Sequence, residues 1–306
     1  MTPAWSPPVR TLRDVLVDGE RRLATAGVPS PRVDAELLLA HVLDVPRGRM
    51  FLSDPADPAD VVRFEALLVK RAARVPLQHL LGEAPFRHLT LAVGRGVFVP
   101  RPETEGVAEL GIRALREAPE GARLGVDLCT GSGAIALALA TEVPGAEVHA
   151  VELDEVAAGW ARRNVEDNAE ALAAAGSSLH LHVGDATRAH LEALAPLVGR
   201  VDVVVTNPPY IPDSAVPRDP EVALHDPPRA LYGGPDGLGV VRGLAEAAAA
   251  LLRPGGLLVV EHGDEQGERG GAAGVPHVLR EHGAFRDVDD HVDLGGRDRA
   301  TTAVRR

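Results

Sequence analysis

The chain has 306 residues, 45% hydrophobic and 25% charged, a length and balance that suit about two globular domains and exclude a disordered or fibrous protein. A single cysteine, Cys129, excludes an internal disulfide and any multi-cysteine metal site. The net charge of −12 is uneven: residues 1 to 85 carry 11 basic and 11 acidic side chains, leaving 21 and 33 for residues 86 to 306, so the acidic C-terminal part disfavours a nucleic-acid partner.

Taken in chain order, the first residues show no basic region followed by an apolar run, and no apolar stretch reaches the roughly 18 residues of a membrane span. The expectation is a soluble, cytoplasmic monomer without membrane contact. Residues 1 to 85 read as a small helical domain. Leu12, Val15 and Leu16 open one helix; Ser30 before Pro31 opens a second, with Val33, Leu37 and Ala40 on its stripe; Asp57 before Pro58 opens a third, with Val61, Phe64 and Leu68. Residues 86 to 104 read as a linker, its β-branched run Phe86 to Val99 forming a hairpin that turns at Gly94 to Gly96.

Residues 105 to 306 alternate strand and helix patterns. Strands are expected at 123 to 128, 147 to 151, 179 to 183, 201 to 206 and 256 to 261, with two more near 285 to 288 and 300 to 304. Helical stretches between strands imply βαβ units, hence an α/β fold with a parallel, Rossmann-like sheet and helices on both faces. Ligands of such sheets sit at the strand C-termini, which directs attention to Cys129 to Gly133, Glu152, Asp185 and Asn207.

Asp127-Leu-Cys-Thr-Gly-Ser-Gly133 runs into an apolar helix, and its glycines let backbone approach a nucleotide-type ligand. Gly131, Gly133 and Ala136 also satisfy a dinucleotide pattern, so NAD and S-adenosylmethionine both remain open on this loop alone. Glu152 is placed to accept from ribose hydroxyls and Asp185 from an adenine amino group. Asn207-Pro208-Pro209-Tyr210 is the most informative tetrapeptide: two prolines supply carbonyls and no N–H donor, so the bend suits an NH2 group, held by the Asn207 side-chain oxygen and the Pro208 carbonyl while the Tyr210 ring packs on the planar group. Cys129 has no partner histidine and reads as no nucleophile. His180 and His182 form a period-2 pair without a third ligand and read as surface residues, so no metal is expected. Glu261, His262 and Asp264 read as structural at a strand end.

Together these motifs resemble a class I S-adenosylmethionine-dependent methyltransferase of the amino-group branch. Pro76 to Gly82, Phe98-Val-Pro-Arg-Pro-Glu-Thr-Glu105, Glu221 to Leu231 with Gly237-Leu-Gly239, and Glu261-His-Gly263 with Gln266-Gly267 follow in the order seen in bacterial release factor glutamine methyltransferases. The resemblance spans about residues 10 to 304. It implies methyl transfer to the side-chain amide nitrogen (N5) of the glutamine in the Gly-Gly-Gln motif of class-1 peptide-chain release factors. It implies further that Cys129, Thr130, Gly131, Ser132, Gly133, Glu152, Asp185, Ala186 and Asn207 hold the cofactor. Asn207, Pro208 and Tyr210 would be catalytic. Pro209 would join them in holding the glutamine, supported by Arg101, Pro102 and Glu103, and the N-terminal helices would dock the protein substrate. Two departures stand out: Cys129 replaces the usual first glycine of the loop, and Ala186 replaces a larger adenine-packing residue. The alternatives are an adenine N6 DNA methyltransferase, which meets a flipped NH2-bearing base with a similar bend, an NAD(P)-linked oxidoreductase, and a noncatalytic adaptor.

Overall fold

The computed structural model describes residues 11–53, 57–119 and 123–306, and the reading of the first ten residues lies outside them. The chain divides into two compact units, Met1–Gly82 with Arg218–His225, and Glu83–Pro217 with Asp226–Arg306. The first unit contains α1 (Leu12–Thr25), α2 (Pro31–Leu43), α3 (Pro58–Ala72) and α4 (Leu77–Leu81), with a 3-10 turn over Arg47–Ser53. Thr11 and Asp14 form a reciprocal capping box at α1, and Asp57 accepts from the Ala59 N–H at 2.7 Å to start α3. Ser30 makes no side-chain cap; Pro31 alone sets the start of α2. The face of α2 also differs from the expected stripe. Val33 is exposed, and Ala35, Leu38, Leu39 and Val42 pack with Leu12, Leu16, Phe64 and Leu68, because α2 meets helices on two sides. Buried Arg71 is paired with Asp34 at 2.7 Å and with Glu221 at 2.8 Å, which ties residues 218 to 225 into this unit.

The second unit begins with β1 (Glu83–Phe86) and β2 (Leu89–Ala92), an antiparallel hairpin. Its turn is at Arg87 and His88, not at Gly94 to Gly96. Arg87 adopts a positive φ of 53°, held by its N–H to Glu105 at 3.1 Å and its guanidinium to Glu109 at 2.7 Å. Gly94 serves packing instead: a Cβ there would lie 2.6 Å from the Trp160 ring. The hairpin is no free linker, since Phe86, Leu89 and Leu91 share a core with Ile112 and Leu139, and Asn164 bonds the Ala92 N–H and carbonyl at 2.7 and 3.0 Å.

Then follow α5 (Pro102–Glu117), β3 (Leu124–Leu128), α6 (Ala134–Glu142), β4 (Glu147–Glu152), α7 (Glu155–Asp167), α8 (Ala169–Ala175), β5 (Ser178–Val183) and β6 (Val201–Thr206). After α9 (Pro220–His225), which belongs to the first unit, come α10 (Gly239–Leu251), β7 (Leu252–Glu261), α11 (Val275–His282), β8 (Phe285–Val292) and β9 (Asp298–Arg305). The sheet order is β5-β4-β3-β6-β7-β9-β8. It is parallel from β5 to β7, as expected, but β9 pairs antiparallel with both β7 and β8, so the sheet is mixed. Eight-residue β8 and β9 are longer than their apolar cores because polar residues occupy the exposed positions of β8 and buried Asp298, Thr301 and Thr302 interrupt β9, which hides strand ends from a hydrophobic reading. One face is covered by α10 and α11 over Val126, Val204 and Leu258, the other by α5 and α6 over Val148, Val203 and Val205. Among the described residues no helix is long and apolar enough to cross a membrane.

Candidate active site

Strand order reverses between β3 and β6, and this is where an open parallel sheet leaves a crevice at its C-terminal edge. The register aligns Leu128 with Val151 on one side and with Thr206 on the other, and Glu152 with Val183. Asp185, Glu152, Cys129 and Asn207 therefore follow one another across a single edge, each just beyond or at its strand's end. The Thr206 hydroxyl donates to the Leu128 carbonyl at 2.6 Å and fixes the two central strand ends side by side.

The loop after β3 is built on Asp127, which is fully buried. Its Oδ2 accepts from the Thr130 hydroxyl at 2.5 Å and the Ala136 N–H at 3.0 Å, so it shapes the turn and caps the helix behind it; Oδ1 has no partner. Burial pushes the Asp127 carboxyl up to about 7, against the pull of those two donors. Cys129 adopts φ 65°, the left-handed conformation for which glycine is the usual choice, and burial drives its thiol pKa upward, with Glu152 and Asp127 adding to it. A neutral thiol agrees with its reading as no nucleophile. At Gly131, φ is 58° and a Cβ would meet nothing within 4 Å, so open space lies over the turn. The Gly131 N–H donates to Glu152 Oε2 and the Asp154 N–H to Glu152 Oε1, both at 2.8 Å. Glu152 is thus aimed by backbone, and burial raises its pKa. Asp185 Oδ1 accepts from the Thr187 N–H at 2.9 Å and hydroxyl at 2.7 Å, while Oδ2 takes no hydrogen bond among the described residues. Ala186 is buried in the core with Leu128 and Val151, so its methyl group does not project as an adenine platform. Ser132 and Thr130 are buried within the loop.

Beyond β6, Asn207 Nδ2 donates to the Thr104 hydroxyl at 3.4 Å. Burial pushes the Glu261 carboxyl, at the end of β7, up to about 7, against the opposing pull of the Thr104 and Asn207 side chains, and its Oε2 has no hydrogen-bond partner among the described residues. With its NH2 group turned toward Thr104, the Asn207 Oδ1 takes no hydrogen bond among the described residues, and neither does the Pro208 carbonyl. The Tyr210 carbonyl is different: it accepts from Gln266 Nε2 at 2.9 Å, so the bend offers fewer acceptors than the sequence suggested. The Tyr210 phenol is pushed up to about 12, by burial first and then by Glu261, and remains protonated at neutral pH. Arg101 lies 4.9 Å from the Phe98 ring and is paired with Asp226 at 2.9 Å; Glu103 is paired with Arg297 at 3.6 Å; Pro102 opens α5 and is exposed. A strap over 231 to 239 braces the bend, with Ile211 N–H to Leu231 carbonyl at 2.8 Å and Gly233 N–H to Ile211 carbonyl at 2.9 Å. Gly237, at φ 75°, sits where a Cβ would collide with the Tyr210 carbonyl.

The sequence placed Asp127 and Thr104 inside motifs without giving them a role, and read Glu261 as structural at a strand end. Glu261 ends a parallel strand at the same edge as Glu152, which brings it to this site. His262 is different: its ring nitrogens are engaged by the Gly263 carbonyl at 2.9 Å and Asp290 at 3.0 Å.

A parallel sheet with a glycine-bearing first loop, an acid ending the next strand and an Asn-Pro-Pro-Tyr bend beyond the switch point defines a class I S-adenosylmethionine-dependent methyltransferase. Family models agree: residues 14–82 match the PrmC N-terminal domain and residues 89–267 the Methyltransferase small domain. The release factor glutamine methyltransferase of Streptomyces coelicolor is 50% identical over 92% of this chain and 94% of its own, and that of Mycolicibacterium smegmatis is 48% identical over 96% and 98%. A solved release factor-specific protein-(glutamine-N5) methyltransferase from Alicyclobacillus acidocaldarius is 28% identical over 68% of this chain and 94% of its own, at a TM-score of 0.39. By its sequence relatives, the chain belongs to the release factor glutamine methyltransferase family.

Proposed function

We propose that this protein methylates the N5 side-chain amide nitrogen of the glutamine in the Gly-Gly-Gln motif of class-1 peptide-chain release factors, acting in the cytoplasm as a monomer without a nucleic-acid partner. The observation that carries this reading is the pair of unengaged acceptors, Asn207 Oδ1 and the Pro208 carbonyl, next to the loop at Cys129 to Gly133. Two acceptors without a neighbouring donor select a group that offers two hydrogens, which a primary amide does.

The residues present fit S-adenosylmethionine. Open space over Gly131 admits a ligand against the turn, Glu152 keeps lone pairs for ribose hydroxyls, and the unbonded Oδ2 of Asp185 can accept from an adenine amino group. Cys129, Thr130, Ser132 and Gly133 would hold the cofactor through the backbone of their turn, and Ala186 through its backbone alone. S-adenosylmethionine supplies an electrophilic sulfonium methyl when bound. The protein must then make an amide nitrogen nucleophilic, although its lone pair is delocalised into the carbonyl. Asn207 Oδ1 and the Pro208 carbonyl draw on the two N–H groups, which orients the nitrogen and raises its electron density as it attacks. Tyr210, neutral at physiological pH, supplies a ring face for the planar amide, with Pro209 shaping the bend. Thr104 is a positioning residue: by accepting from the Asn207 NH2 group it keeps the amide oxygen turned outward, with Glu261 close behind both side chains. Arg101, Pro102 and Glu103 support the same bend, and the helical unit supplies the recognition surface for the release factor.

The test is mass spectrometry of a purified release factor incubated with the protein and S-adenosylmethionine. A single added methyl on the Gly-Gly-Gln glutamine is the expected result. Incorporation of labelled methyl into duplex DNA, with none into the release factor, would overturn the reading in favour of the adenine alternative.

A further inference from the structure

Away from the C-terminal edge, the β4/β5 rim gathers three imidazoles and a carboxylate on one face. Parallel register sets His149 beside His180 and Glu147 beside Ser178. The period of two along each strand then puts Glu147, His149, Ser178, His180 and His182 on the same side. His149 Nε2 lies 3.0 Å from Glu147 Oε1, and its Nδ1 lies 3.0 Å from His182 Nε2. The His149 and His180 rings are 4.8 Å apart. One ligand atom each from Glu147, His149 and His180 falls within 4.8 Å of the other two. We propose that Glu147, His149 and His180 form a binding site for a divalent transition-metal ion of the zinc class.

Three lines of chemistry support this. A zinc-class ion about 2.0–2.2 Å from each donor needs donors roughly 3 to 3.5 Å apart, and His149 Nε2 and Glu147 Oε1 already lie 3.0 Å apart. Two imidazoles and a carboxylate suit zinc, nickel or copper, whereas magnesium prefers oxygen donors and retained water. Metal at Nε2 also leaves Nδ1–H of His149 to donate to His182, so the fourth side chain fixes tautomer and ring orientation. The Glu147 side chain is 55% exposed and that of His149 only 12%, giving a fixed inner donor and an accessible outer one. An ion there would bridge the edge strand β5 to β4, the strands that lead to Asp185 and Glu152. The methylation site has no part in this inference, which stands whichever substrate is correct.

The test is calorimetric titration of the chelator-stripped, full-length protein with zinc chloride, with cobalt absorption as a second readout. One equivalent of zinc is expected to bind and to be left in place by a large excess of magnesium. His149→Gln and His180→Gln should each weaken binding at least tenfold. Ser178→His adds a donor opposite Glu147 and should tighten binding at least tenfold, an effect that misfolding cannot mimic. No stoichiometric uptake, or uptake unchanged by the His149→Gln/His180→Gln double substitution, would overturn the proposal. So would an unchanged affinity in the Ser178→His variant.

Discussion

Replacing Glu261 with Gln isolates the energetic cost of keeping an acid beneath Asn207. Burial raises the Glu261 carboxyl from an ordinary 4.5 to about 7, against the donors Thr104 and Asn207. Between those values the folded protein holds a proton that the unfolded chain has released. The associated stability is fully present below pH 4.5 and is lost as pH rises through 7. Integrated from pH 5 to pH 8, that loss is about 2 to 3 kcal/mol for a single group with these two pKa values. Gln is close to an isostere of the protonated acid and does not titrate. Urea denaturation at pH 5, 6, 7 and 8 should therefore show the Glu261→Gln protein gaining on the wild type by about 2 to 3 kcal/mol across the range, most of it by pH 7. A stability gap that stays constant with pH, or narrows, would refute the reasoning.

Asn207→Ala removes one of the two acceptors offered to the amide and should lower kcat by roughly 100-fold, with cofactor affinity in calorimetry changed only a few-fold; an unchanged single-turnover rate would contradict its role. Gly237→Ala places a Cβ against the Tyr210 carbonyl in a left-handed backbone, so it should displace the bend, reducing methylation and lowering the thermal midpoint. Arg71→Ala leaves buried Asp34 without its cation, while Glu221 keeps Arg74 at 2.5 Å, and should cost about 3–5 kcal/mol in denaturant unfolding. Cys129→Gly relieves a left-handed cysteine worth about 1–2 kcal/mol and adds unfolded-chain entropy of similar size, so its stability should stay near wild type, whereas Cys129→Val should be clearly less stable. Equal tolerance of Gly and Val at 129 would show that the positive φ carries no cost.

The sequence by itself determined the parallel core of the sheet, the helices opened by Asp57 and Pro58, and the strand ends bearing Cys129, Glu152, Asp185 and Asn207. These features are local: a buried strand is a short apolar run, and a ligand loop follows its end whatever the neighbours are. Tertiary structure decided what depended on partners far along the chain. The hairpin turns at Arg87 because Glu105, Glu109 and Glu142 hold that arginine, while the more glycine-rich stretch at 94 to 96 is spent on packing against Trp160 and Val156. Asn207 shows an outward oxygen because Thr104, a hundred residues earlier in the chain, accepts from its NH2 group. His180 and His182 look solitary in sequence, and acquire His149 and Glu147 only through the register of β4 with β5. Periodicity reports which face a residue points to; what it meets there is fixed by how distant elements are brought side by side.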